Sequence, residues 1–216
     1  MTLPDATGAW ISAAVEGDVD EAILSKIVEG LGISLGGVFG RSGKQYIHQR
    51  LDSYNKAARF YPWIILLDLD SDAPCAPTLV SQRMPRPSKL LSFRVAVRAV
   101  ESWLLADQKE FATFMGVRKG ALPDSPDLLP DPKAFVVELA RNSRKKHIRS
   151  ELVPRVGSGK RVGPAYTSRM MEFSLYNWNP VRAEPLSESL LRLLARFPIR
   201  GIAEIEVIQI GQVCRR

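Results

Sequence analysis

Two stretches decide the fold: Ala13-Ala14-Val15-Glu16-Gly17 near the start, and Ile64-Ile65-Leu66-Leu67-Asp68-Leu69-Asp70 further along. Each is a short apolar run that ends abruptly in acid. Such a run reads as a strand buried on both faces of a parallel sheet. Acids just past its last apolar residue then sit at the carboxyl edge of the sheet, where open α/β folds keep their ligands. Three carboxylates brought there from two strands repel one another unless a hard cation neutralises them. Oxygen-only ligands of this type suit Mg²⁺ or Mn²⁺. In an extended segment the side chains of Asp68 and Asp70 point to the same side, so both can face one ion. Glu16, Asp68 and Asp70 are therefore the candidate metal ligands and catalytic acids.

Outward from these runs the pattern alternates. A first strand over residues 10–15 leads through Glu16-Gly17-Asp18 into a helix over 21–31, with Asp18 or Asp20 as its N-cap and Gly32 as its stop. A glycine-rich second strand is expected over 33–39 and a second helix from about Arg41 to Ala58. The third strand covers 63–67, a proline-rich loop with at most a short helix covers 72–87, and a fourth strand covers 93–97. A helix over 101–115 follows. This order predicts an α/β fold with a mainly parallel sheet flanked by helices. Beyond it a loop over 120–131 precedes a helix over 132–142, a basic segment over 141–161, and an amphipathic helix over 187–197. Alternation over 202–213 predicts an edge strand. The expected division is an α/β core over 8–118 and a basic, mainly helical extension over 119–216 packed on it.

With 45% hydrophobic and 25% charged residues, the 216-residue chain can bury a full core. Its net charge of +7 is unevenly placed. Residues 1–80 carry six Lys/Arg against ten Asp/Glu; residues 81–216 carry 24 against 13. An acidic site followed by a basic remainder suits an enzyme that acts on a polyanion. Cys75 and Cys214 are the only cysteines and His48 and His147 the only histidines, with no spacing that makes a zinc site. The first residues lack the pattern of a secretory leader and no apolar run is long enough to span a bilayer, so a cytoplasmic protein without a membrane partner is expected.

Val15-Glu16-Gly17, the glycine-bearing segment after the first helix, and apolar-Asp68-x-Asp70 together resemble the Toprim module of topoisomerases, primases and OLD-type nucleases. The stretch Glu101-Ser102-Trp103-Leu104-Leu105-Ala106-Asp107 resembles a narrower group, compact Toprim-like bacterial proteins with an E-x-W-L-L-A-D signature. The likeness covers residues 10–115 best. It implies a Toprim/Rossmann-like fold, Mg²⁺ held by Asp68 and Asp70, and acid/base work for Glu16. Ser71-Asp72-Ala73-Pro74 stands where topoisomerase-type motifs carry a glycine, which argues against strand passage. Glu101, just past the fourth strand, is expected near the same edge and completes a second metal position. Helix first-turn geometry is the alternative reading of Glu101. Asp72 is read as a turn former, and Trp103 as core.

Gly40-Arg41-Ser42-Gly43-Lys44 departs from a Walker A motif at both ends, so Lys44 is read either as a phosphate contact or as ordinary helix-start geometry. The run Arg141, Arg144, Lys145, Lys146, Arg149, Arg155, Lys160 and Arg161, against Glu151 alone, has the density that binds backbone phosphates without sequence specificity. The expected function is Mg²⁺-dependent cleavage of nucleic acid by a nuclease. The resemblance adds a setting in a bacterial defence or mobile-element system, with a partner protein. The alternative is a non-catalytic Toprim-fold module that works through a partner.

Overall fold

The computed structural model describes residues 9–195 and Phe197. In chain order the elements are β1 (Trp10–Val15), α1 (Asp18–Gly30), β2 (Ser34–Gly40), α2 (Lys44–His48), α3 (Leu51–Ala57), β3 (Trp63–Asp68), α4 (Ala76–Arg83) and β4 (Leu91–Ala96). They continue with α5 (Glu101–Ala106), α6 (Gln108–Met115), α7 (Pro132–Arg141), α8 (Lys146–Leu152), α9 (Tyr166–Tyr176), α10 (Pro180–Ala183) and α11 (Glu188–Ala195). No described helix is long and apolar enough to cross a membrane.

The four strands form one all-parallel sheet in the order β2-β1-β3-β4. This is the α/β, Rossmann-like architecture that the apolar runs predict. Alternation along the strands splits the core between the two faces. Ile11, Ala13, Val15, Ile64 and Leu66 face α1, α5, α6 and the helices beyond them. Ala14, Ile65, Leu67, Phe93 and Val95 face α3 and α4. The first face is far more heavily covered, because α7, α8, α9 and α11 add their apolar sides to the same cluster. One continuous core therefore runs across the boundary near residue 118.

Because β1 leads outward to β2 while β3 leads the other way to β4, the chain reverses direction between β1 and β3. A crevice at the carboxyl ends of the strands is expected at such a reversal. Glu16 follows β1 and Asp68 ends β3, so the two acids flank that point.

Several elements differ from the sequence reading. The helix after β1 begins at Asp18 with Gly17 as N-cap and no side-chain cap bond, so neither Asp18 nor Asp20 caps it. The expected helix over 41–58 is two helices, because the Arg50 N–H bonds Ile47 O and tightens the turn between them. The expected helix over 101–115 breaks at Asp107. There the buried Asp107 carboxylate accepts the Asn179 N–H and two N–H bonds from Arg182, so tertiary contacts fix the break. The basic segment contains α8, and α9 packs its Met170 and Phe173 into the main core. The strand expected over 202–213 lies outside the described residues.

Candidate functional site

The turn after β2 sets the first side of the site. Gly40 has φ +97°, and a Cβ there would stand 2.2 Å from Val15 O, so only glycine fits. The Arg41 N–H then donates to Val15 O at 2.8 Å and the Gly43 N–H to Glu16 O at 3.1 Å. Two amides of the expected phosphate-cradling turn are thus engaged by the end of β1. What the turn aims at the acids is the Lys44 ammonium. It lies 2.6 Å from Asp70 Oδ2, 2.9 Å from Asp72 Oδ2 and 3.9 Å from Glu16 Oε1.

Between the two central strands, the Asp68 N–H donates to Glu16 Oε1 at 2.7 Å. Asp68 itself is buried, and its Oδ1 accepts the Val100 N–H at 2.9 Å. Asp70 does not continue the strand. It sits in a turn with φ +47°, its N–H bonded to Arg98 O and its carbonyl accepting from the Arg98 guanidinium. The extended-segment argument for a shared face of Asp68 and Asp70 therefore fails. Asp68 turns toward α7 and Asp70 toward Lys44.

The second side of the site comes from beyond residue 118. Lys133, in the first turn of α7, donates to Asp68 Oδ2 at 3.2 Å and lies 3.9 Å from Glu101 Oε2. Glu101 is fully enclosed at the start of α5, where its Oε1 accepts the Tyr166 hydroxyl proton at 3.2 Å. Asp20, in the first turn of α1, is buried against the same acids, with Glu16, Asp68 and Glu101 all raising its pKa.

The electrostatics follow from this crowding. Burial, then the neighbouring Asp68 charge, lifts the Glu16 pKa to about 7. Burial lifts Glu101 to about 7 as well, with Lys133 pulling the other way. Asp68 and Asp20 are also raised, chiefly by burial, and Lys133 opposes both shifts. Lys44 and Lys133 are raised by the carboxylates they serve, against their own burial. Six carboxyl groups, from Glu16, Asp20, Asp68, Asp70, Asp72 and Glu101, thus meet two ammonium groups.

The donor set is all oxygen, which suits a hard divalent ion. Two buried carboxyl oxygens, Asp20 Oδ1 and Glu101 Oε2, have no hydrogen-bond partner, which an added cation would supply. Among the described residues, however, no three His, Cys, Asp or Glu side chains are disposed to hold an ion as they stand. The lysines are shared among the acids instead. The residues fit such an ion in chemistry and charge, with a shift of the two lysines needed to admit it.

Sequence reasoning placed Glu16, Asp68, Asp70 and Glu101 at this edge, and the structure gathers them there together with Lys44, which the sequence left open between a phosphate contact and a helix start. It missed Asp20, Lys133 and Tyr166. The basic run divides. The Lys145 ammonium caps α6 by donating to Thr113 O and Phe114 O, and Arg149 bonds Ser143 O. Arg161 pairs with Asp131, the N-cap of α7, two residues from Lys133. That contact ties the glycine-flanked Lys160-Arg161 loop to the start of α7, the helix that carries Lys133. Arg144 and Lys146 are exposed near the far end of α7.

Comparison with family models, with curated proteins and with solved structures finds no match for this chain.

Proposed function

We propose that this chain is a divalent-metal-dependent phosphoesterase that cleaves nucleic acid, built on a Toprim-like α/β core. The observation that carries this reading is the cluster of Glu16, Asp20, Asp68 and Glu101 at the reversal between β1 and β3, in which Asp20 Oδ1 and Glu101 Oε2 are buried without a hydrogen bond. Asp20 and Asp68, with Glu101 Oε2 beside the same lysine, would hold Mg²⁺ or Mn²⁺ once Lys133 shifts. Such an ion would supply Lewis-acid charge to the phosphate and would lower the pKa of the attacking water. Glu16, with a pKa of about 7, is matched to accepting a proton at that pH. Glu101 is held in place by Tyr166 and Lys133. Lys44, Lys133 and the Lys160-Arg161 loop supply positive charge for the phosphates. A role in a defence or mobile-element system, with a partner protein, belongs to the same proposal through the resemblance of its motifs.

One observation favours a second reading. Lys44 and Lys133 already neutralise part of the cluster, as they would in a binding or regulatory module that keeps the fold without the ion. The two readings separate on Mg²⁺- and Mn²⁺-dependent cleavage of labelled single- and double-stranded DNA and RNA, run with Asp68→Asn. Asparagine keeps an oxygen for the Val100 N–H, so the variant should stay folded. Metal-dependent cutting that falls by about 100-fold or more in the folded variant supports the phosphoesterase. No cutting by the wild-type chain, with no metal-induced rise in melting temperature, sinks it and favours the binding module.

A further inference from the structure

The face of α7 opposite Lys133 lines a cavity of about 510 Å³ that contains none of the acidic cluster. Phe135, Glu138, Leu139 and Asn142 fall at i, i+3, i+4 and i+7, so the helix presents them together. The other wall is Gly116-Val117-Arg118 with Ala121, and Arg144 closes the rim. The walls are held by local chemistry. Gly116 ends α6 at φ +68°, where a Cβ would stand 2.7 Å from Lys145 Cγ, and its carbonyl accepts the Arg144 N–H at 3.0 Å.

We propose that this cavity is a nucleotide-binding site for one heteroaromatic ring carrying a phosphate. Its volume falls in the range of small-ligand sites. Val117, Ala121, Phe135 and Leu139 give apolar walls for a flat ring. Arg118 and Arg144 stand exposed at its edge, and neither guanidinium has a carboxylate partner among the described residues. The Glu138 carboxylate on the same wall is paired with Arg141 at 3.4 Å, so the two guanidiniums set the sign of the rim, and phosphate matches their forked donors. The polar wall distinguishes a base from a fatty acid. Asn142 and Glu138 both line it, and the Asn142 amide nitrogen is already bonded to Glu138 O and Oε1, so the oxygens of this pair are what the wall offers to a ring amine. This inference does not rest on the phosphoesterase reading.

The test is binding of nucleoside monophosphates, of the matching nucleosides and of inorganic phosphate to the full chain in EDTA, followed by ligand-observed NMR and thermal shift. The expected result is binding of a monophosphate at or below about 1 mM, with nucleoside or phosphate alone weaker by about tenfold or more. Arg144→Glu and Arg118→Glu, both at exposed positions, should each weaken the monophosphate by about tenfold. Leu139→Trp should block it by filling the cavity, while Asp68→Asn should leave it unchanged. Competition by a short single-stranded oligonucleotide assigns the ligand to a unit of a bound strand; failure to compete assigns it to a free nucleotide. The proposal falls if no monophosphate binds, or if binding survives both arginine variants. It also falls if binding is lost in Asp68→Asn, which would place the ligand at the acidic cluster.

Discussion

The Lys133 ammonium stands 3.2 Å from Asp68 Oδ2, joining the first turn of α7 to the last residue of β3. Asp68 is 3% exposed and Lys133 42% exposed, so a cation at the rim neutralises an acid in the floor. The extension thereby adds the second cation to a site whose acids come from the carboxyl edge of the sheet and the first turns of α1 and α5.

Removing that charge should be costly. Lys133→Met leaves Asp68, Glu101 and Asp20 with one cation fewer, and a loss of about 1–3 kcal/mol is expected, between exposed-pair and buried-pair values. Urea unfolding measures it. The same variant should gain more from added Mg²⁺ than the wild-type chain does, because the ion then meets no resident ammonium. An equal gain in both would show that Lys133 and a metal do not compete for these acids.

Stability should fall as pH rises through the acid range. Glu16 and Glu101 have folded pKa values of about 7 against an ordinary value near 4.5. The folded chain therefore keeps protons that the unfolded chain releases. Their stabilising share is complete below pH 4.5, drains away between 4.5 and 7, and changes no further above that. A melting temperature that drops by at least about 3 °C across this window is expected without metal. Glu16→Gln and Glu101→Gln should each flatten the slope. Mg²⁺ binds the deprotonated acids, so its stabilising effect should be larger at pH 8 than at pH 5.5.

The turn at Asp70 yields a cleaner backbone test. With φ at +47°, Asp70 occupies the left-handed region that glycine adopts freely. Asp70→Gly and Asp70→Ala both remove the same one of the carboxylate partners of Lys44, so their difference isolates the backbone. Asp70→Ala should be less stable than Asp70→Gly by about 1 kcal/mol. Equal melting temperatures would mean that the turn relaxes when the carboxylate is gone.

The sheet and half of the site were legible because parallel strands announce themselves as apolar runs, and Glu16 and Asp68 mark where two of them end. Asp20 was not, because an acid in the first turn of a helix has the same signature whether it caps, faces water or is buried among other acids. Lys133 follows a proline at a helix start and looks like any solvent cation; its partner Asp68 lies 65 residues away. Tyr166 is equally distant from Glu101. Asp70 misled for a local reason. The period-2 argument holds only inside the strand, and β3 ends two residues earlier, at Asp68.

Tyr166 and Glu101 supply the last expectation. The hydroxyl donates to Glu101 Oε1 and so favours the charged carboxylate, working against the burial that raises its pKa. Tyr166→Phe removes the donor, keeps the ring in the core and pushes the Glu101 pKa up from about 7. If Glu101 must be ionised for catalysis, the acid limb of the pH–rate profile moves upward in the variant while the rate at high pH stays near wild type. A loss of stability of about 1 kcal/mol should accompany it, from the broken hydrogen bond. A uniform fall in rate at every pH would instead assign Tyr166 to holding the geometry of α5 and α9, with no influence on the ionisation of Glu101.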